Sequence, residues 1–159
     1  MKNILVLSDS HRNIEPMFRA VALEKPDMII HLGDHYQDAM KLLTRYPSIP
    51  IEAVNGNCDF DQSHTEKLII VEDKKLFLCH GHNYGVKSSY LNLEYAAREK
   101  GADIVLFGHT HQVYYEQHNH LTMLNPGSIG NPRYPGKPSY AQLIVENGQV
   151  FVNTHILQD

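Results

Sequence analysis

Seven side chains able to ligate a metal stand at or just beyond the ends of short apolar runs. Asp9 and His11 follow residues 4–7, Asp34 follows 28–32, and Asn57 follows 51–54. His80 follows residues 76–79, while His109 and His111 follow 104–107. Glycines 33, 56, 81 and 108 sit among them, where a chain must turn sharply or approach another backbone closely. In Asp9-x-His11 and His109-x-His111 the spacing is i, i+2, which sends two side chains the same way from an extended chain. The donor set is carboxylate, amide oxygen and imidazole, with no obvious thiolate. Such a set suits Mn, Fe, Zn or Ni better than Cu(I) or an iron–sulfur cluster. Seven ligands exceed the needs of one tetrahedral ion. They fit two ions about 3.5–4 Å apart that share a bridging carboxylate, an arrangement suited to in-line displacement at phosphorus.

The elements that must position these residues follow from the hydrophobic pattern. Residues 4–7, 28–32, 51–54 and 104–107 read as buried strands. Helices are expected over 14–25, with Asn13 as cap and Pro16 early, over 36–46, and from Ser88 or Ser89 to Lys100, with Gly101 as the stop. Three hairpins are expected: 68–71 with 76–79 across residues 72–75, 113–117 with 121–124 across 118–120, and 140–145 with 150–154 across 146–149. Strand–helix alternation followed by a strand-rich last third predicts a layered α/β domain, with parallel strands first and antiparallel additions after. In parallel sheets the carboxyl ends of the strands line one crevice, so the seven residues are expected to converge. Residues 126–138, with four prolines and three glycines, form an irregular stretch long enough to suggest a functional loop.

The chain has 159 residues, enough for one domain with a core of its own. A formal charge of −4 points to no nucleic-acid partner, and two cysteines exclude a disulfide scaffold or a Cys-rich zinc module. No apolar run approaches the ~20 residues of a membrane span, and residues 4–7 are too short for a signal-peptide core, so a cytoplasmic location is expected. There is no phosphate-binding loop of the G-x-x-x-x-G-K type.

Asp9-Ser10-His11, Gly33-Asp34, Gly56-Asn57-Cys58-Asp59, His80-Gly81-His82 and Gly108-His109-Thr110-His111, in this order, resemble the signature of the calcineurin-like metallophosphoesterase superfamily. Chain length and Asn125-Pro126-Gly127-Ser128 further resemble its small YfcE-type phosphodiesterase group. The resemblance spans nearly the whole chain. It implies a single domain over 1–159 with a four-layer αββα fold, two mixed β-sheets flanked by helices. It implies that Asp9, His11 and His111 hold one ion, that Asn57, His80 and His109 hold the other, and that Asp34 bridges them. The cofactor expected is two divalent ions per chain, Mn2+ first, with Ni2+, Zn2+ or Fe as alternatives. The reaction implied is hydrolysis of a small phosphodiester by in-line attack of a metal-bridging hydroxide, with Asp34, Asn57, His80 and His109 as the catalytic residues.

One position departs from the pattern. Many superfamily members carry His where Cys58 stands, and a thiol is a poorer proton donor to an alkoxide than imidazolium. Arg12, Cys58 and His82 are taken as candidate substrate contacts. Arg133 is weighed beside Arg12 as a phosphate ligand, against a plain surface role for either. Asp59 is expected to orient a ligand, His31 and Cys79 to be core residues, and His35 is left undecided. The competing reading is a non-catalytic scaffold or protein-interaction module with the same fold, of the retromer-subunit type. The seven filled ligand positions favour an enzyme. A homo-oligomer is left open, and no membrane partner is expected.

Overall fold

The computed structural model describes residues 1–133 and 136–158. Ten strands and three α-helices follow in chain order: β1 Lys2–Leu7, α1 Glu15–Glu24, β2 Met28–His31, α2 Tyr36–Arg45, β3 Ile51–Ala53, β4 Glu66–Val71, β5 Lys74–Cys79, α3 Leu91–Glu99, β6 Ile104–Leu106, β7 Val113–His118, β8 Leu121–Pro126, β9 Ser139–Glu146 and β10 Gln149–Ile156. They form two five-stranded sheets, ordered β10-β9-β1-β2-β3 and β4-β5-β6-β8-β7. In the first sheet β1, β2 and β3 run parallel, and β9 and β10 add antiparallel at the β1 edge. In the second, β5, β6 and β8 run parallel between antiparallel edge strands.

Alternation along each central strand explains the layering. Ile4 and Val6 join Ile30, Leu76, Leu78, Ile104, Leu106, Leu124 and Leu143 in one core between the sheets. The intervening Leu5 and Leu7 face the other way, onto Met17, Ala20 and Val21 of α1 and Leu42 of α2. Phe77, Val105 and Phe107 likewise meet Leu93 and Ala97 of α3. Strands buried on both faces need apolar residues at every position, which is why they read as continuous apolar runs. The result is the expected αββα sandwich of two mixed sheets flanked by helices.

Local details differ from the sequence reading at three points. The hairpin turns are tighter than expected, because strand pairing continues to Lys74 opposite Val71 and to Gln149 opposite Glu146. Asn147 and Gly148 both adopt positive φ, the geometry that matches a two-residue turn to strand twist. Asn13 does not cap α1: Ile14 holds that position without a side-chain bond, and the Asn13 amide donates to the Gly130 carbonyl at 3.3 Å. Of the predicted loop 126–138, residue 126 belongs to β8, and residues 134 and 135 lie outside the described residues.

Candidate metal centre

The carboxyl ends of β1, β2, β3, β5 and β6 meet at one edge of the two sheets. There the chain leaves each strand abruptly. Asp9, His11, Asp34, His109 and His111 all have positive φ, between 48° and 72°. The i, i+2 pairs are therefore not extended, and they converge through left-handed turns instead. Left-handed backbone is uncommon outside glycine but better tolerated by Asp, Asn and His. Non-glycine residues held there concentrate at functional sites. Gly33 (φ 100°) combines a left-handed backbone with close packing, since a Cβ there would lie 2.7 Å from the Gly56 nitrogen and 2.9 Å from His80 Nδ1.

Asp9 lies at the centre and is fully buried. Its Oδ2 accepts from Ser8 Oγ at 2.6 Å and from the His109 backbone N–H at 3.1 Å. Its Oδ1 has no hydrogen-bond partner, although His111 Nε2 lies 3.2 Å away, His80 Nε2 3.7 Å and His11 Nε2 3.8 Å. Burial works to raise the Asp9 pKa, but His11, His111 and His80 outweigh it and hold the carboxyl well below the usual range. Asp34 stands across from it, with Oδ2 3.4 Å from His11 Nε2 and Oδ1 3.4 Å from His80 Nε2. Asp34 Oδ1 also accepts from the Cys58 N–H at 2.9 Å. Burial opposes its charge too, yet chiefly His80 brings its pKa down to about 2.

The tautomers are set from behind. His80 Nδ1 donates to the Leu32 carbonyl at 2.8 Å, and His111 Nδ1 donates to the Asn131 carbonyl at 2.5 Å. In the neutral rings both Nε2 atoms therefore carry lone pairs toward the two carboxylates. Asn57 Oδ1 adds a further acceptor 3.0 Å from His80 Nε2. His11 Nε2 is buried without a partner. Lone pairs aimed at lone pairs in a buried space are costly unless a cation lies among them. The donor set thus fits a metal. Asp9, His11, Asp34 and His111 each offer one ligand atom, all within 4.8 Å of one another. On the other side of Asp34, Asn57 and His80 face each other, with the His109 ring 5.1 Å from that of His80.

A family model described as the calcineurin-like phosphoesterase superfamily domain matches residues 1–148. The chain belongs to that superfamily. It is 39% identical over 150 residues to YsnB of Bacillus subtilis, named a probable metallophosphoesterase, covering 91% of this chain and 85% of that protein. It is 32% identical over 100 residues to the phosphodiesterase YfcE of Escherichia coli, or 57% of this chain and 50% of YfcE. A predicted phosphoesterase of Streptococcus pneumoniae has a similar structure, with TM-score 0.78 and 27% identity, covering 98% of this chain and 89% of that one. Zinc-complexed Vps29 of Entamoeba histolytica is similar with TM-score 0.76 at 20% identity, covering 97% and 98%, a likeness of fold alone.

This calcineurin-like domain has a cavity of about 370 Å³ over the centre, lined in part by His11, Asp34, Asn57, Cys58, His109 and His111. Burial and the nearby Asp34 push the Cys58 thiol up to about 11, so it keeps its proton at neutral pH. Burial, His80 and Lys87 take His109 down to about 4. The candidate substrate contacts divide. Cys58 lines the cavity, whereas Arg12 and His82 are not among its lining residues. His82 Nε2 pairs with Gln62 Oε1 at 3.2 Å, and its ring lies 5.4 Å from that of His80. His35 precedes α2 with its ring 5.1 Å from that of His11.

Among the described residues Asp59 makes no hydrogen bond to a ligand side chain. It accepts from the N–H groups of Gly56 and Tyr36, both at 2.7 Å, and so ties the Asn57 loop to the start of α2. Sequence reading missed Lys87 and Asn131, and it preferred a plain surface role for Arg133. All three line the cavity. The one signal for Asn131 and Arg133 was the Pro/Gly-rich stretch after β8 that carries them, and Lys87 had none. That stretch is anchored by Ser128, whose Oγ donates to the Asp9 carbonyl at 2.8 Å. Asn125 Nδ2 donates to the Gly108 carbonyl and to Thr110 Oγ1, and so fixes the loop that carries both His109 and His111.

Proposed function

We propose that the protein is a dinuclear metal-dependent phosphodiesterase acting on a small phosphodiester. The observation that carries this reading is Asp9 Oδ1, a buried carboxylate oxygen without a hydrogen-bond partner that is faced by the Nε2 atoms of His11, His80 and His111. Asp9, His11 and His111 would hold one divalent ion, and Asn57, His80 and His109 the other, with Asp34 between them. Mn2+ is the ion proposed; Ni2+, Zn2+ and Fe accept the same donors. Bound there, the ions lower the pKa of water from 15.7 toward ~7 and neutralise charge on the phosphoryl oxygens.

The chain's own residues supply the rest. The Leu32 and Asn131 carbonyls hold His80 and His111 in the tautomer that leaves Nε2 free. His109 is neutral at pH 7. The open cavity admits a phosphoryl group above Asp34, where Cys58 presents a protonated thiol. A cytoplasmic location is part of the proposal; separately, no helix among the described residues is long and apolar enough to cross a membrane. The scaffold alternative draws on the Vps29 likeness, but a scaffold has no need for this complete set of inward-facing ligands.

The test is hydrolysis of bis(p-nitrophenyl) phosphate against p-nitrophenyl phosphate by metal-stripped protein with Mn2+, Ni2+, Zn2+ or Mg2+ restored, together with a metal count per chain. The expected result is metal-restored turnover, faster on the diester, with two ions bound. No turnover with any ion and a single ion per chain would support the scaffold instead.

A further inference from the structure

Beside the cavity over Asp34 lies a second one of about 420 Å³, lined by Val86, Lys87, Tyr90, Thr110, Gln112 and Arg133. The two share Lys87 and Arg133, which line both. The cleft is therefore bipartite, with a pair of cations at its junction. Both side chains are exposed. Among the described residues, the ion pairs made by lysine and arginine run through Lys41, Lys67, Arg98 and Lys100, and none through Lys87 or Arg133. Arg133 is tethered by its Nε, which donates to the Thr110 carbonyl at 3.4 Å. That contact leaves its terminal nitrogens without a partner among the described residues.

The wall behind the cations is built of packed aromatic rings. The Tyr90 ring packs at 4.4 Å from Tyr114 and 5.1 Å from Phe107. Val86 is buried against α3, while Thr110 and Gln112 bring polar groups to the same pocket. An arginine fork and a lysine ammonium with no counter-ion among the described residues suit a phosphate group: the guanidinium binds two of its oxygens and the ammonium acts as a point charge. In a chain of net charge −4, two cations that line the same cleft and make no ion pair among the described residues run against the overall electrostatics.

We propose that this side pocket binds a second phosphate group of the substrate, separate from the scissile phosphodiester, with Lys87 and Arg133 as its recognition pair. The substrate class is then a phosphodiester that also carries a terminal phosphate, such as a phosphorylated nucleoside ester. This rests on the phosphodiesterase reading of the adjoining metal centre.

The experiment is calorimetric titration of Mn2+-loaded protein with two probes that differ by one phosphate, thymidine 3′,5′-bisphosphate and thymidine 3′-monophosphate. The bisphosphate is expected to bind the wild-type protein about ten-fold tighter or more. In the double variant Lys87→Ala/Arg133→Ala the ratio of the two affinities is expected to fall to about one. Circular dichroism confirms the fold of the variant, as both residues are exposed. Equal binding of the two probes by wild type overturns the proposal. So does a ratio unchanged in the double variant, or a variant that weakens both probes alike, which would assign the pair to the scissile phosphoryl group. Turnover of bis(p-nitrophenyl) phosphate is measured separately. If that turnover is absent while the affinity ratio holds, the phosphodiesterase reading fails and the phosphate pocket stands.

Discussion

His80 Nδ1 donates to the Leu32 carbonyl at 2.8 Å, and this bond decides which nitrogen of the ring faces Asp34. Leu32 follows β2 and His80 follows β5, so a contact between the two sheets sets the protonation pattern of the centre. His80 is fully buried, and burial works against its charge, yet Asp34 and Asp9 raise its pKa. A cation bound in the centre takes over that charge.

Removal of either partner of this arrangement should therefore empty the site. His80→Gln and Asp34→Ala are each expected to lose at least one ion per chain and to lower turnover by about a hundred-fold or more, above the 10–100-fold typical of supporting residues around a metal. Metal content and kcat are measured together, with thermal unfolding as the check on folding. In the wild type, Mn2+ at about 100 times its Kd should add about 2.7 kcal/mol of stability, and each variant should show less. A variant with wild-type metal content would sink the ligand assignment.

Gly33→Ala tests the cradle behind His80. A left-handed backbone costs a non-glycine residue about 1–2 kcal/mol, and the new Cβ would also press on the Gly56 nitrogen and His80 Nδ1. The expected outcome is a loss of about 2 kcal/mol or more in urea unfolding, with weaker metal binding. An alanine variant as stable as wild type would show that the loops shift freely at this point.

The buried His31 makes stability depend on pH. Its Nδ1 accepts from the Gly33 N–H, its Nε2 pairs with Ser10 Oγ at 2.9 Å, and Ser10 Oγ donates to Asp38. Burial lowers its pKa from 6.5 to about 4, although Asp38 and Asp9 act to raise it. Between those values the unfolded chain binds a proton that the folded chain refuses. Stability is therefore full above pH ~6.5 and falls as pH drops toward 4, by about 3 kcal/mol at about 1.36 per unit. His80, with its raised pKa, acts in the opposite sense. The difference between wild type and His31→Gln isolates the effect in metal-free protein, and the variant should show the shallower acid slope between pH 7 and 5. Equal slopes would mean that His31 protonates without disturbing the fold.

Cys58 governs which leaving groups are handled. Its thiol, raised to about 11, is a weak acid above the cavity. Cys58→His should quicken hydrolysis of alkyl diesters by about ten-fold or more, since a placed general acid contributes 10²–10⁴-fold, and should change aryl diesters little. The alkyl-to-aryl rate ratio reads this directly. A ratio unmoved by the substitution would remove proton donation from this position.

Much of this protein was legible in its sequence. Strands buried on both faces must be apolar at every position, so β1, β2 and β6 announced themselves as short apolar runs. Polar ligand residues beside glycine at the carboxyl ends of those runs marked the edge of the sheets where a site forms. What the sequence did not determine was anything set by contacts between distant segments. The tautomers of His80 and His111 depend on the carbonyls of Leu32 and Asn131, and every residue has a carbonyl, so no residue type signals them. The left-handed turns at Asp9, His11, Asp34, His109 and His111 are held by tertiary packing against local preference. Asn13, whose local preference is to cap α1, serves instead the loop at Gly130. Lys87 and Arg133 lie 46 positions apart, only Arg133 in a stretch of unusual composition, and tertiary packing places them at one junction. Residue type fixed the chemistry available to this chain, and long-range packing decided where that chemistry points.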